Sequence, residues 1–154
     1  MSDPTFADVD AGVRNAIAAY AQALDDGRTD DVVALFCSDG GCDIDGLGAH
    51  EGHDALRAAF AAVEPKAPQR HLAFNTHITA WSAEEATAAT DVAFLVKGDA
   101  GWSLLLVGRY EDVLHREGTT WRFHRSGRVG KRVPRGTITV CCASPLSGWW
   151  VTKA

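Results

Sequence analysis

From Phe6 to Leu24 the apolar positions fall three and four residues apart: Phe6, Val9, Val13, Ile17, Tyr20 and Leu24. That spacing predicts a long amphipathic helix. Asp3 and Pro4 offer a cap and a first-turn residue before it, and Gly27 stops it. Thr29 is placed to cap a second, short helix over "DDVVALF", with Asp30 and Asp31 in the first turn, where the helix dipole favours acidic groups. "SDGG" then turns the chain, "CDID" reads as a short strand, and "GLG" as another turn. A third helix, "HDALRAAFAAV", carries Leu56, Phe60 and Val63 on one stripe and is broken by "EPKAP".

Beyond Arg70 the apolar period drops to two. Strands are predicted over 70–81, 86–97, 102–115 and 121 to about 129. The separators "SAEE", "GDAG" and "REGTT" are short enough for hairpins, so successive strands should pair antiparallel. Helices first and a meander afterwards is an α+β order. A sheet this long must twist and curl. The expected architecture is therefore a curled antiparallel sheet, a cone-shaped half barrel, closed by about three N-terminal helices. Counting by twos puts His71, Ala73, Asn75, His77 and Thr79 on one face of the first long strand. In the last strand it groups Trp121 with Phe123 and Arg125, opposite Arg122, His124 and Ser126. Tyr110 and Asp112 share a face, with Arg109 on the other.

The chain has 154 residues and is 46% hydrophobic, enough for one domain with a real core. We read 1–154 as that domain, with 134–154 a C-terminal strand or lid-like tail containing "TITVCC" and the pair Trp149 and Trp150. A net charge of −5 argues against nucleic acid and anionic membranes as partners. "MSDPTFADVD" lacks the basic-then-apolar pattern of a signal peptide, so a cytoplasmic location is expected. Cys37, Cys42, Cys141 and Cys142 match no zinc or redox spacing and read as small apolar residues. The basic residues from Arg116 to Arg135 face an acidic N-terminal half, as paired surfaces or an anion site. No phosphate loop or Ser or Cys nucleophile motif is present. His71 and His77 lack further ligands at metal spacing, and His50, His53, His115 and His124 carry no motif. No metal or cofactor is expected.

The pieces "AIAAYAQALDDG", "ALFCSDG", "EGHDALRAAF", "RHLAFN" and "GRYEDVLHREGTTWRFHR" resemble, in that order, the SnoaL-like branch of the nuclear-transport-factor-2-like superfamily. The resemblance implies the fold deduced above. In the scytalone dehydratase and hexachlorocyclohexane dehydrochlorinase branches an Asp near the end of the first helix pairs with a His opening the first long strand. Asp25 and His71 fall at those positions, and Asn75 matches an asparagine four residues on. A neutral imidazole removes a proton from carbon when a carboxylate fixes its tautomer and stabilises the imidazolium.

The resemblance therefore implies a cofactor-independent lyase or isomerase acting on a small, largely apolar substrate, cyclic or polyketide-like. His71 is the expected base and Asp25 its orienter. Tyr20, Asn75, His77, Asp45, Phe36, Trp81 and Trp102 are the expected substrate contacts. Two alternatives stand beside this. One is a ketosteroid-isomerase-like enzyme using Tyr20 and Asp45, against which Arg109 occupies the place of that branch's second acid. The other is a non-catalytic module that binds a small ligand or dimerises. A homodimer or homotrimer is expected in either case.

Overall fold

The computed structural model describes residues 3–44 and 48–132. Helix α1 (Phe6–Asp25) and helix α2 (Thr29–Ala34) lead into strand β1 (Phe36–Ile44) and strand β2 (Gly48–Glu51). Helix α3 (His53–Ala62) is followed by β3 (Gln69–Trp81), β4 (Glu85–Gly98), β5 (Gly101–Glu117) and β6 (Thr120–Arg132). The six strands form one curled, unclosed sheet in the order β2-β1-β6-β5-β4-β3. Every neighbouring pair is antiparallel except β1 and β6, which run parallel. The helices cover the inner face. There Val9, Val13 and Ile17 of α1 and Leu56 and Phe60 of α3 are buried against Phe36, Val92, Leu106, Leu114, Trp121 and Phe123 of the sheet.

The three helices and four long strands expected from periodicity are present, with local differences. The N-cap of α1 is Thr5, not Asp3: Thr5 and Asp8 form a reciprocal capping box, satisfying two of the donors a helix start leaves bare. Thr29 is the first residue of α2 rather than its cap, since Arg28 holds the cap position without a side-chain bond. "SDGG" is not a turn but the middle of β1, and "GLG" runs into the unforeseen strand β2. Asp45 lies outside the described residues, as do Cys141, Cys142, Trp149, Trp150 and the 134–154 tail.

Two β-bulges reset the predicted faces. In the β3–β4 ladder Phe74 pairs with Asp91, but the next pair is His77 with Ala89, so β3 carries one extra residue. Asn75, at φ +53°, supplies it; asparagine tolerates this left-handed region better than most side chains. Upstream of the bulge Gln69, His71 and Ala73 face the helices. Downstream the buried Ile78 takes over that side, while Asn75 and His77 are exposed. The single polar face drawn through His71, Asn75 and His77 is thus two half-faces. In the β5–β6 ladder Val113 pairs with Arg125 and Leu114 with Phe123, leaving His124 as the extra residue. Ser126 therefore pairs with Asp112 on the inner face together with Trp121 and Phe123, rather than standing opposite them.

Candidate active site

The C-terminus of α1 sets the position of Asp25. Arg28 N–H donates to the Ala23 carbonyl at 2.9 Å and Gly27 N–H to that of Leu24 at 3.3 Å, with Gly27 at φ +67°. This is the paired closure that a left-handed glycine permits, and it stops the helix one turn past Gln22. Gln69 adds a tie from β3, its Nε2 donating to the Leu24 carbonyl at 3.4 Å. Asp25 is left pointing at the first inward residues of β3.

There it meets His71 twice. Asp25 Oδ2 accepts the His71 backbone N–H at 2.8 Å, and Oδ1 lies 2.7 Å from Nδ1. The side chains are only 5% and 9% exposed. A carboxylate at this distance requires the proton on Nδ1, so the neutral ring carries its lone pair on Nε2. Phe94, paired with His71 across β3 and β4, stacks on the imidazole with centroids 4.4 Å apart and planes at 22°. Tautomer and ring plane are both held.

His71 lines a cavity of about 220 Å³ between the helices and the sheet. Tyr20, Phe60, Phe94 and Leu24 form much of its wall, with the hydroxyl-bearing Tyr110 and Ser126 on the sheet side. Tyr20 is wedged among Phe36, Phe60, Tyr110 and Phe123, at centroid distances of 5.5–6.2 Å. Beneath Ser126 lies Asp112, 3% exposed, whose Oδ1 accepts the serine hydroxyl at 2.7 Å. Burial pushes its carboxyl up to about 7, against which the Ser126 hydrogen bond pulls down.

Of the expected site residues, Asp25, His71 and Tyr20 come together. Phe36 is 1% exposed and packs behind Tyr20 in the core, not on the cavity wall. Asn75 lies on the outer side of the sheet, donating to Asp91 Oδ2 at 3.1 Å; Asp91 in turn accepts from Arg109 Nε at 2.8 Å. His77 is exposed beside it. Trp81 and Trp102 are about half exposed at strand ends, Trp81 against Phe6. The bulge at Asn75 is the reason two of these fell on the wrong side. Missing from the expected set were Tyr110, Ser126 and Phe94. The shared face of Tyr110 and Asp112 was the one sequence signal toward them; the displacement of Ser126 by a bulge left none.

Several solved structures share this architecture. A protein of unknown function from Mycobacterium tuberculosis superposes with a TM-score of 0.74 at 22% identity, covering 87% of this chain and 85% of that one. A candidate scytalone dehydratase from Novosphingobium aromaticivorans gives 0.69 at 19%, covering 79% and 83%. A type 2 hexachlorocyclohexane dehydrochlorinase gives 0.70 at 15%, covering 92% and 99%. No curated protein matches the sequence. Among the described residues no helix is long and apolar enough to cross a membrane. The SnoaL-like domain model matches residues 7–127, most of the chain, and with the NTF2-like, cystatin-like fold of its structural neighbours this makes the protein a member of the SnoaL-like family.

Proposed function

We propose that this protein is a cytoplasmic, cofactor-independent lyase that removes a proton from carbon and expels a leaving group from the adjacent carbon. The observation that carries this is the 2.7 Å Asp25–His71 contact, nearly shut off from water on the wall of a small cavity. His71 Nε2 takes the proton; the C–H electron pair becomes a double bond, and the neighbouring C–O or C–halogen bond breaks. Asp25 stabilises the imidazolium so formed. Tyr20 and Tyr110 line the same cavity, and their hydroxyls are the groups to hydrogen-bond the leaving atom or an enolate oxygen. A volume of about 220 Å³ lies below the usual range for small-molecule sites, roughly 300–1,000 Å³. The substrate is accordingly small and, given the aromatic walls, largely apolar. The dehydratase and dehydrochlorinase among the structural neighbours agree with this class of reaction.

The test is turnover of small cyclic β-hydroxy ketones and halocycloalkanes, followed by loss of the leaving group. His71→Ala should lower kcat/KM by roughly 10²–10⁴, the span a positioned general base supplies. Parent-level turnover in that variant would remove the assigned base.

A further inference from the structure

Away from the cavity, on the other side of β1, β5 and β6, three ligating side chains converge. Cys37 of β1, His115 of β5 and His124 of β6 each offer one ligand atom, and these atoms all lie within 4.8 Å of one another. None of the three lines the His71 cavity. We propose that they form a binding site for one borderline divalent cation of the Zn²⁺ type, with Asp39 as the fourth ligand.

The backbone irregularities of the sheet are what bring them together. His124 is the extra residue of the β5–β6 bulge. Cys37 falls in the part of β1, between Phe36 and Gly41, where pairing with β6 is interrupted. Bulges re-aim side chains that the pleat would otherwise alternate, and here two of them aim at His115. The imidazoles of His115 and His124 lie stacked, with centroids 4.1 Å apart and planes at 12°. His115 Nε2 is 3.1 Å from Glu85 Oε2, which leaves Nδ1 for an ion and supplies the carboxylate that commonly orients a metal-bound histidine. His124 Nδ1 is one of two buried side-chain polar atoms with no hydrogen-bond partner among the described residues. Asp39 Oδ1 lies 3.8 Å from it, a contact that an ion between them would bridge.

The donor set and its surroundings fit the ion. One thiol, two imidazoles and a carboxylate are a borderline set that suits Zn²⁺ in tetrahedral geometry. Metal–ligand bonds of roughly 2.0–2.3 Å place such ligand atoms about 3.5 Å apart, so closure needs a shift of about 1 Å. The His115 and His124 rings, stacked at 12°, would have to turn out of the stack for both to point a nitrogen at one ion, and their partial exposure, 36% and 31%, leaves room for that rotation. Cys37 Sγ donates only a long hydrogen bond, to the Arg122 carbonyl at 3.9 Å, and the carboxylates of Asp39 and Glu85 lie against the two imidazoles. Arg122 beside Cys37 is held by Glu117 at 2.9 Å. The bound ion would clip β1 to β5 and β6 on the sheet's one parallel seam, next to Phe36 and the aromatic packing behind Tyr20.

The experiment uses the full chain, free of any histidine tag, chelator-treated and reduced. Titration with Co²⁺ should give one equivalent bound, with a thiolate-to-cobalt charge-transfer band in the near ultraviolet and the visible bands of a tetrahedral ion. Zn²⁺ should abolish both and raise Tm. His115→Gln and His124→Gln should lose the bands while keeping the parent's circular dichroism. These half-exposed positions carry the test if Cys37→Ser fails to fold. Glu85→Gln should weaken binding about tenfold. His71→Ala should retain the bands, separating this site from the proposed base. Absence of the charge-transfer band in the parent overturns the proposal, as does a band that survives both histidine substitutions, which would place the cobalt on another thiol such as Cys42.

Discussion

Asp25 occupies the last turn of α1, where the helix dipole disfavours a carboxylate. Two hydrogen bonds from His71 hold it there. Asp25→Asn keeps the size but offers an amide where the tautomer must be fixed; kcat/KM on any substrate found should fall by roughly 10²–10⁴. An amide has a single acceptor oxygen where the carboxylate has two, so one of the two contacts with His71 is lost, which should also cost about 1–3 kcal/mol in urea unfolding. Asp112 makes a different prediction. Its carboxyl sits near 3.8 unfolded and about 7 folded, so between those values the folded chain binds more protons than the unfolded one. Stability from this group is therefore greatest below pH 3.8, falls as pH rises to about 7, and is then level. At about 1.4 kcal/mol per pH unit the loss is on the order of 4–5 kcal/mol. Asp112→Asn removes it: relative to the parent, the variant should gain stability as the pH of the unfolding measurement is raised from 4 to 8.

At the scale of elements, much was legible. Apolar spacing located all three helices and the four long strands within a few residues, because long periodic segments carry that signal redundantly. The Asp25–His71 pair was legible only through the resemblance, since 46 residues of chain separate them and no local pattern joins them. What escaped was local and single-residue: the Thr5 cap, β2, and the bulges at Asn75 and His124. A one-residue insertion leaves the alternation of apolar and polar types nearly intact while inverting which face is which. That is why Ser126 was grouped opposite Trp121 and Phe123, and His77 with His71, and why Cys37, His115 and His124 carried no motif. Asn75→Gly should be close to neutral in denaturant unfolding. Asn75→Val should cost about 1–2 kcal/mol, because a β-branched residue resists positive φ. Gly12 tests the α1–β6 contact: an added Cβ would fall 2.3 Å from Trp121 Cδ1. Gly12→Ala should lose about 1–3 kcal/mol despite its better helix propensity.

Over the whole molecule, the sheet has one face under the helices and one that no helix among the described residues covers. Leu72 and Phe74 of β3 and Leu105 and Val107 of β5 are 42–50% exposed on that outer side, with Trp102 at its end. Isolated apolar residues on a surface mean little, but a cluster of this kind marks an interaction face. We propose this face as the one on which the homodimer or homotrimer implied by the resemblance would assemble. The pair Phe74→Glu and Val107→Glu should shift sedimentation toward the monomer without altering the circular dichroism. The same outer surface holds Asn75, Asp91 and Arg109 as a linked polar spot within the apolar field, a means of fixing how a second copy is oriented.

The extra residue in β3 also divides the labour along one strand. Above it the backbone answers to Asp25 and Phe94; below it, to the packing around Ile78 and to Arg14, whose Nη2 donates to the Thr76 carbonyl at 2.7 Å. Deleting Asn75 would leave an unbroken alternation in which Ile78 keeps the inner side and His77 the outer; straightening the strand with Asn75 retained is what would drive His77 into the oily slot that Ile78 now fills.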